Sequence, residues 1–170
     1  MPEVPAWGWI DTHPVNVSWN DAKAYAKWAG VTLPTEAQWE KAARGTDGRV
    51  YPWGNDWDAA KCNNSVGANH PGKTSPVGSF PAGASPYGCL DMAGNVWQWC
   101  ADWYGADYYT TSPAKNPTGP ATGTVRVLRG GSWGGSGVVY GCRGACRIYY
   151  IPYLWVYLIG FRCVALSPGP

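Results

Sequence analysis

The sequence predicts an α+β domain in which two helices and a few short strands are joined by long loops. Three observations carry this. Two stretches near the N-terminus place apolar residues at helical spacing between capping signals, and three later stretches alternate as strands do. The composition, with 23 Gly and 15 Pro beside 12 Trp and 11 Tyr, describes many turns held by large aromatic anchors. At 170 residues, 45% hydrophobic and 14% charged, the chain suits a single domain with one sizeable core, residues 1–12 being a lead-in.

The first helix is read from "SWNDAKAYAKWAG": Ser18 is the N-cap with Asp21 three residues on, Ala22, Tyr25, Ala26 and Ala29 share a face, and Gly30 stops it. In "LPTEAQWEKAARG", Thr35 and Gln38 form a capping box, Trp39, Ala42 and Ala43 share a face, and Gly45 ends the second helix. From Thr46 to Ser85, Gly, Pro, Asn and Asp dominate. A loop region this long needs fasteners, and buried Trp53 and Trp57 are the candidates, with a bound cation as an alternative. "NVWQW", "GTVRVLRGGSW" and "LIGFRCVAL" read as strands, the last placing the C-terminus in a central sheet.

All eleven acids lie at or before Asp107, so residues 108–170 carry six Lys/Arg and no acid. Six cations over 63 residues make no dense phosphate-binding stripe, which argues against nucleic acid as a partner. Cys62, Cys89, Cys100, Cys142, Cys146 and Cys163 show no CxxC spacing, and His13 and His70 are the only histidines, so zinc is not expected. Disulfide pairing is left open. The apolar run Ile148–Phe161 is too short for a membrane span and Pro152 interrupts it. With no signal peptide recognised either, the expectation is a soluble protein, for which the cytoplasm is one permitted compartment.

"HPVNVSWNDAKAYAKWAGVTLPTEAQWEKAARG", "YPWGNDW", "TSPVGSFPAGASPYGCLDMAGNVWQWCADWYG", "VRVLRGGSW" and "IGFRCV" resemble, in the same order, the formylglycine-generating enzyme (sulfatase-modifying factor) family. The resemblance implies a C-type-lectin-like fold, with two helices flanking small, irregular antiparallel sheets. Enzymatic members oxidise a substrate cysteine with a copper-binding cysteine pair between the "GGSW" and "GFR" blocks. Anchored on Arg147, that pair should fall near Val139 and Gly144, and neither is a cysteine. Cys142 and Cys146 are displaced from both places, so the expectation is a protein without catalytic residues. The alternative is a divergent oxidase with Cys142 and Cys146 as its copper centre. The iron-dependent branch of the family needs more histidines than His13 and His70, and His13 is read as structural.

The stretch from Gly134 to Leu158 resembles the variable region of diversity-generating retroelement proteins, which share this fold. Adenine-directed randomisation of AAC codons never yields Trp, Lys, Glu, Gln or Met, and Trp155 is the one residue in the stretch outside the permitted set. "GGSW", Cys142, Arg143, Ala145, Arg147, Pro152 and "IGFR" then read as scaffold. Gly134, Gly135, Ser136, Gly137, Val139, Tyr140, Gly144, Cys146, Ile148, Tyr149, Tyr150, Ile151, Tyr153, Leu154, Val156, Tyr157 and Leu158 read as a displayed ligand-binding set. The expected partner is a protein or cell-surface ligand, with self-association through the same aromatic patch a further expectation. The alternative is that this run packs inward as an edge of the core.

The resemblance also implies a calcium site on "LDMAGNVWQW", with Asp91, the carbonyls of Gly94 and Val96, and Gln98 as ligands. Gln98 stands where the family has a glutamate, which removes a charge. Asn63 and Asn64 resemble part of a second calcium site whose acidic partner is missing.

Overall fold

The computed structural model describes residues 10–66, 71–135 and 138–165. Its helices are α1 (Trp19–Trp28) and α2 (Glu36–Arg44), with single turns α3 (Tyr108–Thr111) and α4 (Val138–Gly141). Strands β1 (Trp97–Trp103), β2 (Arg126–Arg129), β3 (Arg147–Tyr150) and β4 (Ile159–Phe161) form one sheet in the order β3-β2-β1-β4. Antiparallel pairing joins β1 to β2 and β2 to β3, whereas β1 and β4 run parallel.

Both helices start where their capping signals lie. The Ser18 hydroxyl accepts from the Asp21 N–H while Asp21 reaches back to the Ser18 N–H, and Thr35 and Gln38 repeat the arrangement on α2. Gly30 and Gly45, at φ of 70° and 67°, turn the chain away at the two C-termini.

The helices cover opposite faces of the sheet. On one face, Trp19 and Ala22 of α1 pack with Trp99, Leu128 and Ile159, and Ile148 and Val156 lean on the same cluster. On the other, Trp39 and Ala43 of α2 pack with Cys100 and Val127. The alternation of β1 and β2 therefore serves two cores rather than a core and solvent. A third cluster lies under the long loops, where Tyr51, Cys62, Ala93, Val138 and Cys142 are buried and Trp53 and Trp57 pack around the Tyr51 ring. Those two tryptophans are half-buried fasteners, not the fully buried ones expected. Arg126 threads between Trp19 and Trp103, its guanidinium carbon 3.7 and 3.3 Å from the ring centroids, and donates to the Ala101 carbonyl at 2.7 Å.

The structure departs from the sequence reading at two points. Tyr25 and Ala29 are exposed, because α1 buries Trp19, Ala22 and Ala26 at i, i+3 and i+7, which leaves the Tyr25 ring on the flank against Phe161. The C-terminal strand joins the sheet as expected, pairing with β1 at its edge. Arg147–Tyr150, unread as a strand, pairs along β2 before Pro152 ends it.

The two edges differ. Along β4 runs the segment 15–17: Val17 N–H and Asn16 Nδ2 both donate to the Ile159 carbonyl, and a Cβ on Gly160 would lie 2.8 Å from the Val15 carbonyl oxygen. Among the described residues no such segment lies along β3. Ser18→Ala and Thr35→Ala are each expected to lower stability by about 1 kcal/mol. The check is urea unfolding, with the midpoint lowered and the slope unchanged.

Candidate functional site

The backbone of β3 is set by a buried ion cluster at the start of α2. Glu36, 1% exposed, receives Arg129 Nη1 at 2.9 Å and Arg147 Nε at 2.8 Å on one oxygen. Its other oxygen receives Arg147 Nη2 at 2.7 Å and the Tyr109 hydroxyl at 3.2 Å. Arg129, fully buried, also donates to Glu40 and to the Gly144 carbonyl, both at 2.6 Å. The rings of Tyr104 and Tyr109 flank the Arg147 guanidinium. One helix terminus thus holds β2, β3 and the 143–145 turn. The Glu36 N–H donates to Asp102 Oδ2 at 2.7 Å. Burial raises the Asp102 carboxyl to about 6, the nearby Glu36 charge adding to the rise and this hydrogen bond opposing it. None of Glu36, Arg129, Asp102 or Tyr109 was read from the sequence as a site residue. The signal was there for Arg129, which shares the inward parity of Val127 on an alternating strand.

Of the displayed set, Gly135, Tyr140, Tyr149, Tyr150, Tyr153, Leu154 and Tyr157 are exposed. Gly134, Val139, Ile148, Ile151, Val156 and Leu158 are half-buried, and Ser136 and Gly137 lie outside the described residues. Tyr149 packs on Tyr104 and Tyr157 on Trp133, while Arg143 lies over the Tyr140 ring. Gly144 and Cys146 are buried and do not belong to the surface: a Cβ at Gly144 would meet the Arg44 side chain at 2.4 Å, and the Cys146 thiol lies inside the turn. Arg143 and Ala145, read as scaffold, are exposed instead. The framework residues Gly131, Ser132, Cys142, Ile159 and Gly160 are buried as expected.

The sulfur chemistry differs from the expected pairing. Cys142 is fully buried, and its thiol is held protonated first by a hydrogen bond with the Cys62 thiol and then by burial. Burial likewise raises the Cys146 thiol. The thiols brought together are therefore Cys62 and Cys142. Two sulfurs suit a soft Cu(I) ion, but with Cys62 3% exposed and Cys142 at 0% they have no opening to a substrate. Cys142 and Cys146 as placed do not fit a substrate-facing copper centre.

The residues expected to hold calcium are engaged with one another. Gln98 Oε1 accepts from Trp39 Nε1 at 2.8 Å and Arg162 Nε at 2.6 Å, and Gln98 Nε2 donates to the Asp91 carbonyl at 2.6 Å. Asp91 Oδ2 accepts from the Gly78 N–H at 2.7 Å, and Arg162 Nη2 donates to the Leu90 carbonyl at 2.8 Å. Gly94 and Val96 are buried beside them, the Gly94 N–H bonding the Gly130 carbonyl. The Arg162 guanidinium supplies to these oxygens the positive charge that a bound cation would otherwise bring, so this donor set does not fit calcium as it stands. The amide nitrogens of Asn63 and Asn64 donate to loop carbonyls, at Lys73 for the first and at Ala59 and Cys62 for the second, while the buried Asn63 Oδ1 meets no hydrogen-bond donor. Among the described residues no group of three or more His, Cys, Asp or Glu side chains could hold a metal ion.

A two-faced sheet between capped helices, with its loops packed beneath the "GGSW" turn, defines a formylglycine-generating-enzyme-like domain. Residues 8–166 match the sulfatase-modifying factor enzyme 1-like domain family, and the chain belongs to it. It is 47% identical over 150 residues to the formylglycine-generating enzyme of Thermomonospora curvata, covering 78% of this chain and 49% of that protein. It is 49% identical over 136 residues to the formylglycine-generating enzyme of Streptomyces coelicolor, covering 71% and 42%. The chain thus spans about half the length of these curated relatives, or less. Among solved structures it resembles Treponema denticola variable protein 1, at 33% identity and a TM-score of 0.59, over 76% of this chain and 45% of that one. The expectation of a chain that is no enzyme is corrected by these relatives, since proteins this similar are formylglycine-generating enzymes.

Two outcomes follow. The native state binds the Asp102 proton more tightly than the unfolded chain does, so its contribution to stability falls as pH rises through about 4 to 6, and the cost is fully present above about 6. Asp102→Asn, which keeps an oxygen for the Glu36 N–H, should therefore gain stability relative to the wild type between pH 4 and pH 7, as measured by denaturation at both. A chelator is expected to leave the melting temperature unchanged, as scanning calorimetry would show.

Proposed function

We propose that this chain binds another protein through the aromatic face formed by α4, β3 and the 151–158 turn, and that the exposed positions of this face are the diversified ones. One observation carries the reading. Tyr140, Tyr149, Tyr153, Leu154 and Tyr157 are between 42% and 67% exposed, while Cys142 within the stretch and Gly131, Ser132, Ile159 and Gly160 at its two ends are buried. Large side chains left in solvent on a braced backbone give contact area at low entropic cost, as binding surfaces require. Residues 134–158 contain no acid or Lys, so the face meets a partner with few charges to desolvate. The likeness to Treponema denticola variable protein 1 supports this reading.

A second reading is favoured by the identity with formylglycine-generating enzymes: oxidation of a cysteine in a protein bound on the same face. Both readings seat a protein there, and the second adds chemistry on it. Under the second, the paired sulfur donors that copper would need are Cys62 and Cys142 rather than Cys142 and Cys146, and both are buried as placed.

Sequencing the locus across its source population tests the first reading. Codons for Tyr140, Tyr149, Tyr150, Tyr153, Leu154 and Tyr157 should vary beside a near-identical repeat, while those for Ser132, Cys142, Arg147 and Gly160 stay fixed. An invariant segment without a repeat overturns it. Copper-dependent oxygen uptake in the presence of a cysteine peptide, lost in Cys142→Ala, would establish the second reading.

A further inference from the structure

We propose that the bare edge of β3 is a docking strand for a second copy of this chain, the two sheets joining into one through an antiparallel β3–β3 pair. The sheet's two edges contrast. β4 is covered by the segment 15–17, whose groups bond the Ile159 carbonyl. β3 is bonded on one side by β2 in a continuous register, Arg126 opposite Tyr150 through Arg129 opposite Arg147. On its other side, alternate N–H and C=O groups meet no partner among the described residues.

Edges are commonly protected by charge, by a bulge or by a covering segment. Here the four residues are Arg147, Ile148, Tyr149 and Tyr150, and the one charge is directed inward onto Glu36. Tyr149 is 53% exposed and Tyr150 36%. The strand is regular, rich in β-formers and held straight from behind by the ion cluster. It is stopped by Pro152 at one end and by the 143–146 turn at the other, where the Cys146 N–H bonds the Arg143 carbonyl.

An identical edge can pair with it over three of its four residues. Facing residues of an antiparallel pair share a face, so the two-fold axis must pass through residue 148 or residue 149. Either choice sets tyrosine or isoleucine at the centre and keeps Arg147 from facing its own copy, so no like charges are opposed. The dimer would form whether or not the face is diversified.

Sedimentation of the intact chain from micromolar to millimolar concentration, combined with amide hydrogen exchange at both ends of the range, tests this. The expected result is concentration-dependent dimerisation with slowed exchange at Arg147–Tyr150. Tyr150→Lys should weaken dimerisation by roughly tenfold, because it puts a charge on the edge. Trp28→Lys, which removes the 80%-exposed tryptophan of α1, should not. A monomer throughout the range, or a dimer whose 147–150 amides exchange as fast as in the monomer, overturns the proposal. The exchange measurement uses the wild type, so it decides the matter even if Tyr150→Lys fails to fold. A dimer weakened as much by Trp28→Lys as by Tyr150→Lys would also overturn it, since that indicates unspecific adhesion.

Discussion

The fold depends on one buried carboxylate. Glu36 sits where the first free N–H groups of α2 emerge, a position that favours negative charge, and it gathers two guanidinium groups from neighbouring strands. Removing ions from water is expensive, and a cluster of this kind survives only when nearly every donor is met. Arg129 comes close, with Glu36, Glu40 and the Gly144 carbonyl on its terminal nitrogens. Losing any one partner would strand a charge in the core, at a cost of about 3–5 kcal/mol for such pairs. The cluster therefore acts as a geometric clamp that fixes the height and direction of β3 relative to α2.

That clamp explains how an irregular segment can be a precise surface. Among its described residues the 134–158 stretch contains only a four-residue strand and one helical turn. What holds it is attached from behind: Arg147 through Glu36, the 144 carbonyl through Arg129, Ile148 and Val156 through the α1 core. Close approach does the rest. Gly94, at φ 74°, lets the Asn63 carbonyl come so near that a Cβ would stand 2.2 Å from its oxygen, which seats the long loop against the "GGSW" turn. Side chains pointing outward contribute little to any of this, and their identity is free to serve binding.

Much of the frame was legible. Both capping boxes, both glycine stops and three strands follow from short-range signals that tertiary structure had no reason to override. The helix face was misjudged at Tyr25, because a tyrosine on a short helix can lie along a neighbour's rim instead of beneath it. The thiol partnership was not legible at all. Cys62 and Cys142 stand 80 residues apart and meet only because the loop region folds back under α4. Of the residues read as displayed, Gly144 and Cys146 are buried, where a turn covered by Arg44 interrupts the exposed positions. The calcium ligands were misjudged through Arg162, whose long side chain reaches Gln98 from a distant strand end.

The asymmetry of the sheet's edges sets the form that any assembly takes. A molecule with one open edge has a single valence: once that edge is filled, growth stops. A molecule with two becomes a link in a chain, and ordered aggregates grow by such repetition. The segment 15–17, by lying along β4 and occupying the Ile159 carbonyl, removes the second valence. Under the pairing proposed above, and among the described residues, these three positions near the N-terminus limit strand addition to a closed pair and not a fibre.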